Sequence, residues 1–286
     1  MVQTIAAIDA LIESGGREHG AQQVSINAAK LVAYQRDANL RQMVQSCDLI
    51  NADGQAVVWA SRLLGDALPE RVAGVDLMHE LLRLAQDRGH GVYLLGAKPE
   101  VLERAVAEIR RRFPTIVVSG SHHGYFDESE NERIVAEIRS VRPAMLFVAM
   151  SSPRKEYWLG EHGEAVGVPF RMGVGGSVDV IAGVTARAPR RWQRLGIEWL
   201  YRLLQEPGRM WKRYLTTNSR FMWLVALGLL ERATGVGLLP LSDRRRTDRR
   251  RRDRRRVMWT VSGRERRARD ERRAPAHEDR RGTGAE

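Results

Sequence analysis

The feature that most constrains this chain is a repeated alternation. Short apolar runs, each closed by glycine or a small polar residue, are separated by segments of helical pattern. Val92-Tyr-Leu-Leu-Gly96 is followed by a helical stretch from Pro99 to Arg112, with proline at its first turn. Thr115-Ile-Val-Val-Ser119 is β-branched and reads as a strand. A helical stretch from Glu130 to Val141 leads to the buried run Ala144-Met-Leu-Phe-Val-Ala-Met150, and Pro169-Phe-Arg-Met-Gly-Val174 is another strand. Strands that alternate with helices of this length predict an α/β fold: a mainly parallel, Rossmann-like sheet with helices on both faces. Ligands of such sheets bind beyond the carboxyl ends of the strands. Before these runs the pattern shows a helix over 6–14 and no strand ahead of it.

The organisation changes near residue 190. Four of the seven tryptophans (Trp192, Trp199, Trp211, Trp223) fall between 191 and 236, interleaved with Arg and Lys. Two or three amphipathic helices are expected there. From Leu241 to Glu286 the chain carries eighteen arginines against nine acids, a surplus of nine that leaves three of the net +12 for residues 1–240. A segment so poor in apolar groups cannot offset its chain entropy, which predicts a disordered Arg-rich tail. The division expected is therefore an α/β domain over 1–190, an amphipathic helical appendage over 191–240 and the tail over 241–286.

Cys47 is the single cysteine, so no internal disulfide can form, which suits a reducing compartment. Residues 1–20 lack a charged segment followed by an apolar one, which argues against a signal peptide. The longest apolar run in the helical region, Phe221 to Leu230, falls short of the roughly 20 residues that span a bilayer. A protein that is soluble or lies on a membrane surface is expected.

Four constellations follow strands. Val24-Ser-Ile-Asn27 and Leu49-Ile-Asn-Ala-Asp-Gly54 place Ser25, Asn27 and Asp53 at strand ends. A carboxylate there can take a proton from a substrate hydroxyl; an Asp-Gly turn that only caps a helix is the alternative. Gly120-Ser-His-His-Gly-Tyr-Phe126 reads as a glycine loop whose backbone N–H groups can approach phosphate. Its paired histidines have no partner at metal-ligand spacing, so no metal site is expected. In Ser151-Ser-Pro-Arg-Lys-Glu156, Arg154 and Lys155 can face a diphosphate, while the same residues also read as a capped helix start. Gly173-Val-Gly-Gly-Ser-Val-Asp179 brings Gly175 and Gly176 to a close-approach turn, and Asp179 can bind a ribose hydroxyl. No Asp-x-Asp occurs, so a leaving diphosphate has to be met by cations and backbone dipoles. On one continuous helix Arg202, Arg209 and Arg213, spaced by seven and four, share a face.

Taken in order, Asn51-Ala-Asp-Gly54, Arg71-Val-Ala-Gly-Val-Asp76, Tyr93-Leu-Leu-Gly96, Gly124-Tyr-Phe126, Pro153-Arg-Lys-Glu156, Gly173-Val-Gly-Gly176 with Asp179, Arg187-Ala-Pro189, and Glu198-Trp-Leu-Tyr-Arg202 with Glu206-Pro-Gly-Arg209 resemble the WecG/TagA/CpsF glycosyltransferases over residues 20–215. The resemblance implies an inverting transferase that needs no metal or other cofactor. Its partners would be a UDP-sugar donor and a polyprenyl-diphosphate-linked sugar acceptor in surface or exopolysaccharide synthesis. It would act as a peripheral protein on the cytoplasmic face of the plasma membrane, with self-association open. By the same resemblance Asp53 matches the base, and Ser25 and Asn27 match acceptor-side groups. Tyr125 and Asp179 match positions near the nucleotide, with Gly124, Lys155, Gly175 and Gly176 read on the same side, and Arg202, Arg209 and Lys212 or Arg213 match basic residues of an appendage over the diphosphate. Relatives carry Gln at Lys155 and Gly-x-Pro at Ser151-Ser-Pro153, so N-acetylmannosamine, its uronic acid and a hexose all stay open as the transferred sugar. The competing reading is a non-catalytic nucleotide-binding regulator whose basic tail binds nucleic acid. The acids interspersed in that tail argue against specific nucleic-acid binding.

Overall fold

The computed structural model describes residues 1–15, 20–205 and 207–237. The Arg-rich segment 241–286 lies outside the described residues, as do the side chains of Arg194, Arg209, Met210 and Arg213.

A helix α1 (Val2–Glu13) precedes the first strand β1 (Ala21–Ile26). Then follow α2 (Ala28–Arg36), α3 (Ala38–Ser46), β2 (Leu49–Ala52), α4 (Gln55–Leu63) and α5 (Gly74–Arg88). The second half runs β3 (Gly91–Gly96), α6 (Pro99–Arg112), β4 (Val117–His122), α7 (Asn131–Val141), β5 (Met145–Ala149), α8 (Arg154–His162), β6 (Phe170–Gly173) and α9 (Ser177–Ile181). Three further helices close the described part: α10 (Arg190–Arg194), α11 (Glu198–Gln205) and α12 (Pro207–Thr234).

The six strands form one sheet in the order β2-β1-β6-β5-β3-β4, and every pairing is parallel. The expected α/β architecture is therefore present. The period-2 alternation of β5 builds both cores. Met145, Phe147 and Ala149 pack with Leu77, Leu81 and Ile109 of α5 and α6 on one face. Leu146, Val148 and Met150 meet Ile134, Ile138 and Trp158 of α7 and α8 on the other. The helices begin where capping dictates. Asn27 Oδ1 accepts from Lys30 N at 2.9 Å to start α2, Asp37 Oδ1 accepts from Leu40 N at 2.9 Å to start α3, and Pro99 occupies the first turn of α6.

Two expectations need correction. The fourth strand starts at Val117 and runs through His122, so Gly120, Ser121 and His122 lie in the sheet and the loop is His123 to Asp127. Gly120 is a packing glycine: a β-carbon there would come within 2.6 Å of the Tyr93 ring. The shared face of the three arginines also does not hold, because the Trp199 ring of α11 meets the Tyr214 ring of α12 at 5.8 Å, which one continuous helix cannot bring together, so the chain turns between the two helices. Arg202 thus stands on a different helix from Arg209 and Arg213, and the shared-face spacing does not apply across the break. Proline at the start of α12 accounts for it, since it cannot donate to the preceding turn.

The helix α12 packs against α2, where its Phe221 and Val225 join Val32, Val57 and Ala60 in a small core. Trp211, Leu215, Met222 and Trp223 on the same helix are exposed, as are Trp199 and Leu204 of α11. No described helix is long and apolar enough to cross a membrane.

Candidate active site

All the sequence-nominated strand-end residues collect at the carboxyl edge of the sheet, as parallel topology requires. They separate into two neighbouring groups. The first lies over β1 and β2. Asp53 follows β2, and its N–H donates to Ile26 O at 2.8 Å, which ties the two strand ends together. Ser25 is the penultimate residue of β1. A β-carbon at Gly74, the first residue of α5, would lie 3.6 Å from Ser25 Oγ and 3.8 Å from Asp53 Oδ2. Both groups therefore stand within one side chain's reach of a helix start where no side chain intervenes. Asn27 is adjacent, its β-carbon 3.9 Å from where a side chain at Gly54 would begin. Its amide oxygen is committed to the α2 cap, which leaves its NH₂ as the free donor group.

Burial pushes the Asp53 carboxyl above the ordinary carboxylate range; the Glu198 carboxylate raises it further, and Arg202, Arg71 and Lys30 pull the other way. A raised carboxyl is a stronger base than an ordinary aspartate, as proton abstraction near neutral pH needs. Arg202 is thus brought to Asp53 from α11. Beside these residues opens a cleft of about 300 Å³ lined by Gln55, Arg71, Arg190 and Gln193.

A buried polar network supports the first group from beneath. Gln23, 1% exposed, donates to Ser25 Oγ at 3.1 Å and to Asn51 Oδ1 at 3.0 Å. Lys30 Nζ donates to Ser25 O at 2.8 Å and pairs with Glu156 Oε1 at 2.8 Å. Ser152 Oγ donates to Glu156 Oε2 at 2.7 Å, and Lys155 Nζ stands 3.5 Å from Glu156 Oε1. Burial favours a neutral Glu156, but Lys30 and Lys155 outweigh it and hold the carboxyl below its usual range. Burial, aided by Lys30, lowers the Lys155 ammonium against the pull of Glu156 and Asp53. Two ammoniums thus share one carboxylate below the site.

The second group lies where the connection of β3 runs outward to β4 and that of β5 runs the opposite way to β6. Diverging connections from adjacent strands leave a crevice between their ends. Its floor is bare backbone: a β-carbon at Gly96 would strike the Ala149 carbonyl at 2.5 Å, and one at Gly124 would meet Gly96 Cα at 2.9 Å. Ala97 N donates to Ala149 O at 2.8 Å and Gly124 N to Ala97 O at 2.9 Å. The positive dipole end of α6 opens beside it. Tyr125 is exposed at the rim. Arg154, expected to face a diphosphate, is instead committed to the loop. It donates to Gly124 O at 2.9 Å and Phe126 O at 3.1 Å and lies over the Phe126 ring at 5.2 Å. The close approach expected at Gly175 (φ +51°) is made by the protein itself, since Lys155 Nζ sits 3.1 Å from where a β-carbon would be. Asp179 falls in the first turn of α9, its carboxylate 3.4 Å from the β-position of Gly176.

The family model of the glycosyl transferase WecG/TagA/CpsF family matches residues 1–235. The chain belongs to that family. A WecG/TagA/CpsF protein is a glycosyltransferase acting on lipid-linked sugars, and the match takes in α10, α11 and α12 together with the sheet. Among the described residues no three His, Cys, Asp or Glu side chains converge to hold a metal ion. His122 and His123 engage locally, with His122 Nε2 3.2 Å from Arg133 Nη2 and His123 Nδ1 accepting from Tyr125 N at 3.3 Å.

Gln23 and Lys30 fall outside the motifs, whereas Glu156, Arg71, Asp76, Arg187 and Glu198 stand inside them with no site role read from the sequence. One signal could have found Lys30. The chain has only four lysines, Lys30, Lys98, Lys155 and Lys212, among 47 cationic residues. A residue type so sparingly used where arginine is the default marks places that need a compact charge.

Proposed function

We propose that this transferase moves a sugar from a UDP-sugar to a polyprenyl-diphosphate-linked acceptor by a single, inverting displacement. The observation that carries the reading is the convergence of Asp53, Ser25 and the open helix start at Gly74, with the Asp53 carboxyl raised by burial. Asp53 takes the proton of the acceptor hydroxyl as oxygen attacks the anomeric carbon, and Ser25 and the Asn27 amide orient that acceptor. The bond to UDP breaks on the opposite face. UDP leaves as a stable anion, so a second carboxylate acting as general acid is not needed, unlike in glycoside hydrolysis. The nucleotide occupies the crevice between β3 and β5 under Tyr125, with Gly175, Gly176 and Asp179 at its side. Charge developing on the diphosphate is met by Lys155, backbone N–H groups, the start of α6 and the arginines Arg202, Arg209 and Arg213. No metal or other cofactor takes part.

The acceptor cannot leave the bilayer, so the enzyme has to reach it. The exposed Trp199, Trp211, Leu215, Met222 and Trp223 suit the headgroup layer, which supports the reading of α11 and α12 as a peripheral anchor on the inner leaflet. The test is a panel of UDP-sugars incubated with a lipid-diphosphate-linked acceptor. Release of UDP coupled to an inverted glycosidic product, dependent on both substrates, is expected. Turnover only with a non-uridine donor, or retention of anomeric configuration, overturns the reading.

A further inference from the structure

Four motif residues have no part in that chemistry, yet the fold gathers them into one ionic chain. Arg71, in the segment before α5, donates through Nη1 to Glu198 Oε2 at 3.1 Å, and both side chains are mostly buried. Arg187 grips Asp76 of α5 with both terminal nitrogens, Nη2 to Oδ2 at 2.7 Å. Its Nε, buried and without a hydrogen-bond acceptor of its own, lies 4.0 Å from Glu198 Oε1. Glu198 opens α11, so the chain Asp76–Arg187–Glu198–Arg71 fastens the first turn of that helix to the start of α5, where Gly74 borders Asp53.

We propose that Glu198 is a positioning residue for Asp53: held by Arg71 and Arg187, it seats α11 against the strand ends, so that Asp53 is matched to its task only while α11 is docked. This rests on the reading of Asp53 as base. The charged groups that act on Asp53 are Glu198 and Arg202 from α11, Arg71 from the segment before α5, Lys30 from α2, Lys155 from α8, and Arg187 ahead of α10. Glu198 is the one anion among them and favours the protonated form; the cations oppose it. Undocking α11 removes Glu198 and Arg202 together and opens Asp53 to water. Asp53 then becomes a weaker, ordinary carboxylate, so acceptor activation and seating of the C-terminal helices are coupled.

Glu198→Gln keeps the side chain's size and removes its charge. Its loss, and the release of Arg71 from a partner, both lower the Asp53 pKa. The acid limb of kcat/KM is expected to move to lower pH, with kcat down at least tenfold and donor KM within about threefold. Glu198→Asp, which restores the charge, is expected to return the limb toward wild type. Trypsin should cut Glu198→Gln faster within residues 190–202, and Arg71→Lys, which keeps charge but loses the planar fork, should do the same. A fall in activity with an unmoved acid limb in Glu198→Gln overturns the proposal and leaves the residue merely structural. Unchanged cleavage in both variants also overturns it. An active Asp53→Asn enzyme would refute the base reading instead, and the cleavage comparison still decides the docking.

Discussion

Asp53→Asn preserves the shape of the side chain and removes only its ability to take a proton. The carboxyl stands beside Ser25 and the bare Gly74, so the amide can occupy the same space without a clash. Loss of a general base costs roughly 10²–10⁴-fold in rate, or about 3–5 kcal/mol on the barrier. Binding of UDP, assigned to the β3–β5 crevice, should survive. Stability should move the other way. The native carboxyl holds its proton more tightly than the unfolded one, because burial penalises the charged form. Its stabilising contribution is therefore complete below the unfolded value near pH 4 and lost as pH rises through the raised native value. Asparagine escapes that loss, so the variant should melt above wild type at neutral pH, and the difference should vanish below about pH 4. For a domain of this size each kcal/mol of relief appears as about 2–4 °C. The assays are UDP release with lipid-linked acceptor, UDP titration calorimetry, and melting against pH. Wild-type turnover in the variant, or a melting difference that grows as pH falls, refutes the reasoning.

Lys155→Gln should change the ranking of a UDP-sugar panel while leaving the melting profile cooperative, since Glu156 keeps Lys30 and Ser152 as partners; an unchanged ranking would remove Lys155 from the donor side. Activity should persist in excess EDTA, and a strict Mn²⁺ or Mg²⁺ requirement by the enzyme would contradict charge compensation by cations and dipoles. Trp211→Ala with Trp223→Ala should reduce sedimentation with anionic vesicles at least tenfold, at about 1.5–3 kcal/mol of apolar burial per side chain, with activity on a short-chain soluble acceptor retained; undiminished sedimentation would place the membrane contact elsewhere.

The helix α6 was legible to the residue, because proline at its first turn and apolar side chains at helical spacing are local signals. The fourth strand was misplaced by two residues at its start and three at its end. Gly120 looks like loop punctuation in the sequence, and its purpose appears only when the Tyr93 ring is packed against it. Arg154 was nominated for phosphate on charge and position alone. Its bonds to Gly124 O and Phe126 O are made across 30 and 28 residues of sequence, which no local pattern encodes.

What the sequence by itself determined is the fold class and the edge of the sheet where the candidate site residues gather. Both follow from periodicity: strands that alternate with helices must run parallel, and parallel strands deliver their ends to one rim. It also determined that Asp53, Ser25 and Asn27 lie at strand ends. Tertiary structure alone decided the electrostatics. Strand order sets β1 between β2 and β6, which lets Lys30 of α2 reach Glu156 of α8, and the docking of α11 brings Glu198 and Arg202 to a carboxylate nearly 150 residues earlier in the chain. A proton affinity depends on burial and on charges a few ångströms away in space. Those neighbours come from segments whose sequence separation carries no information about their distance.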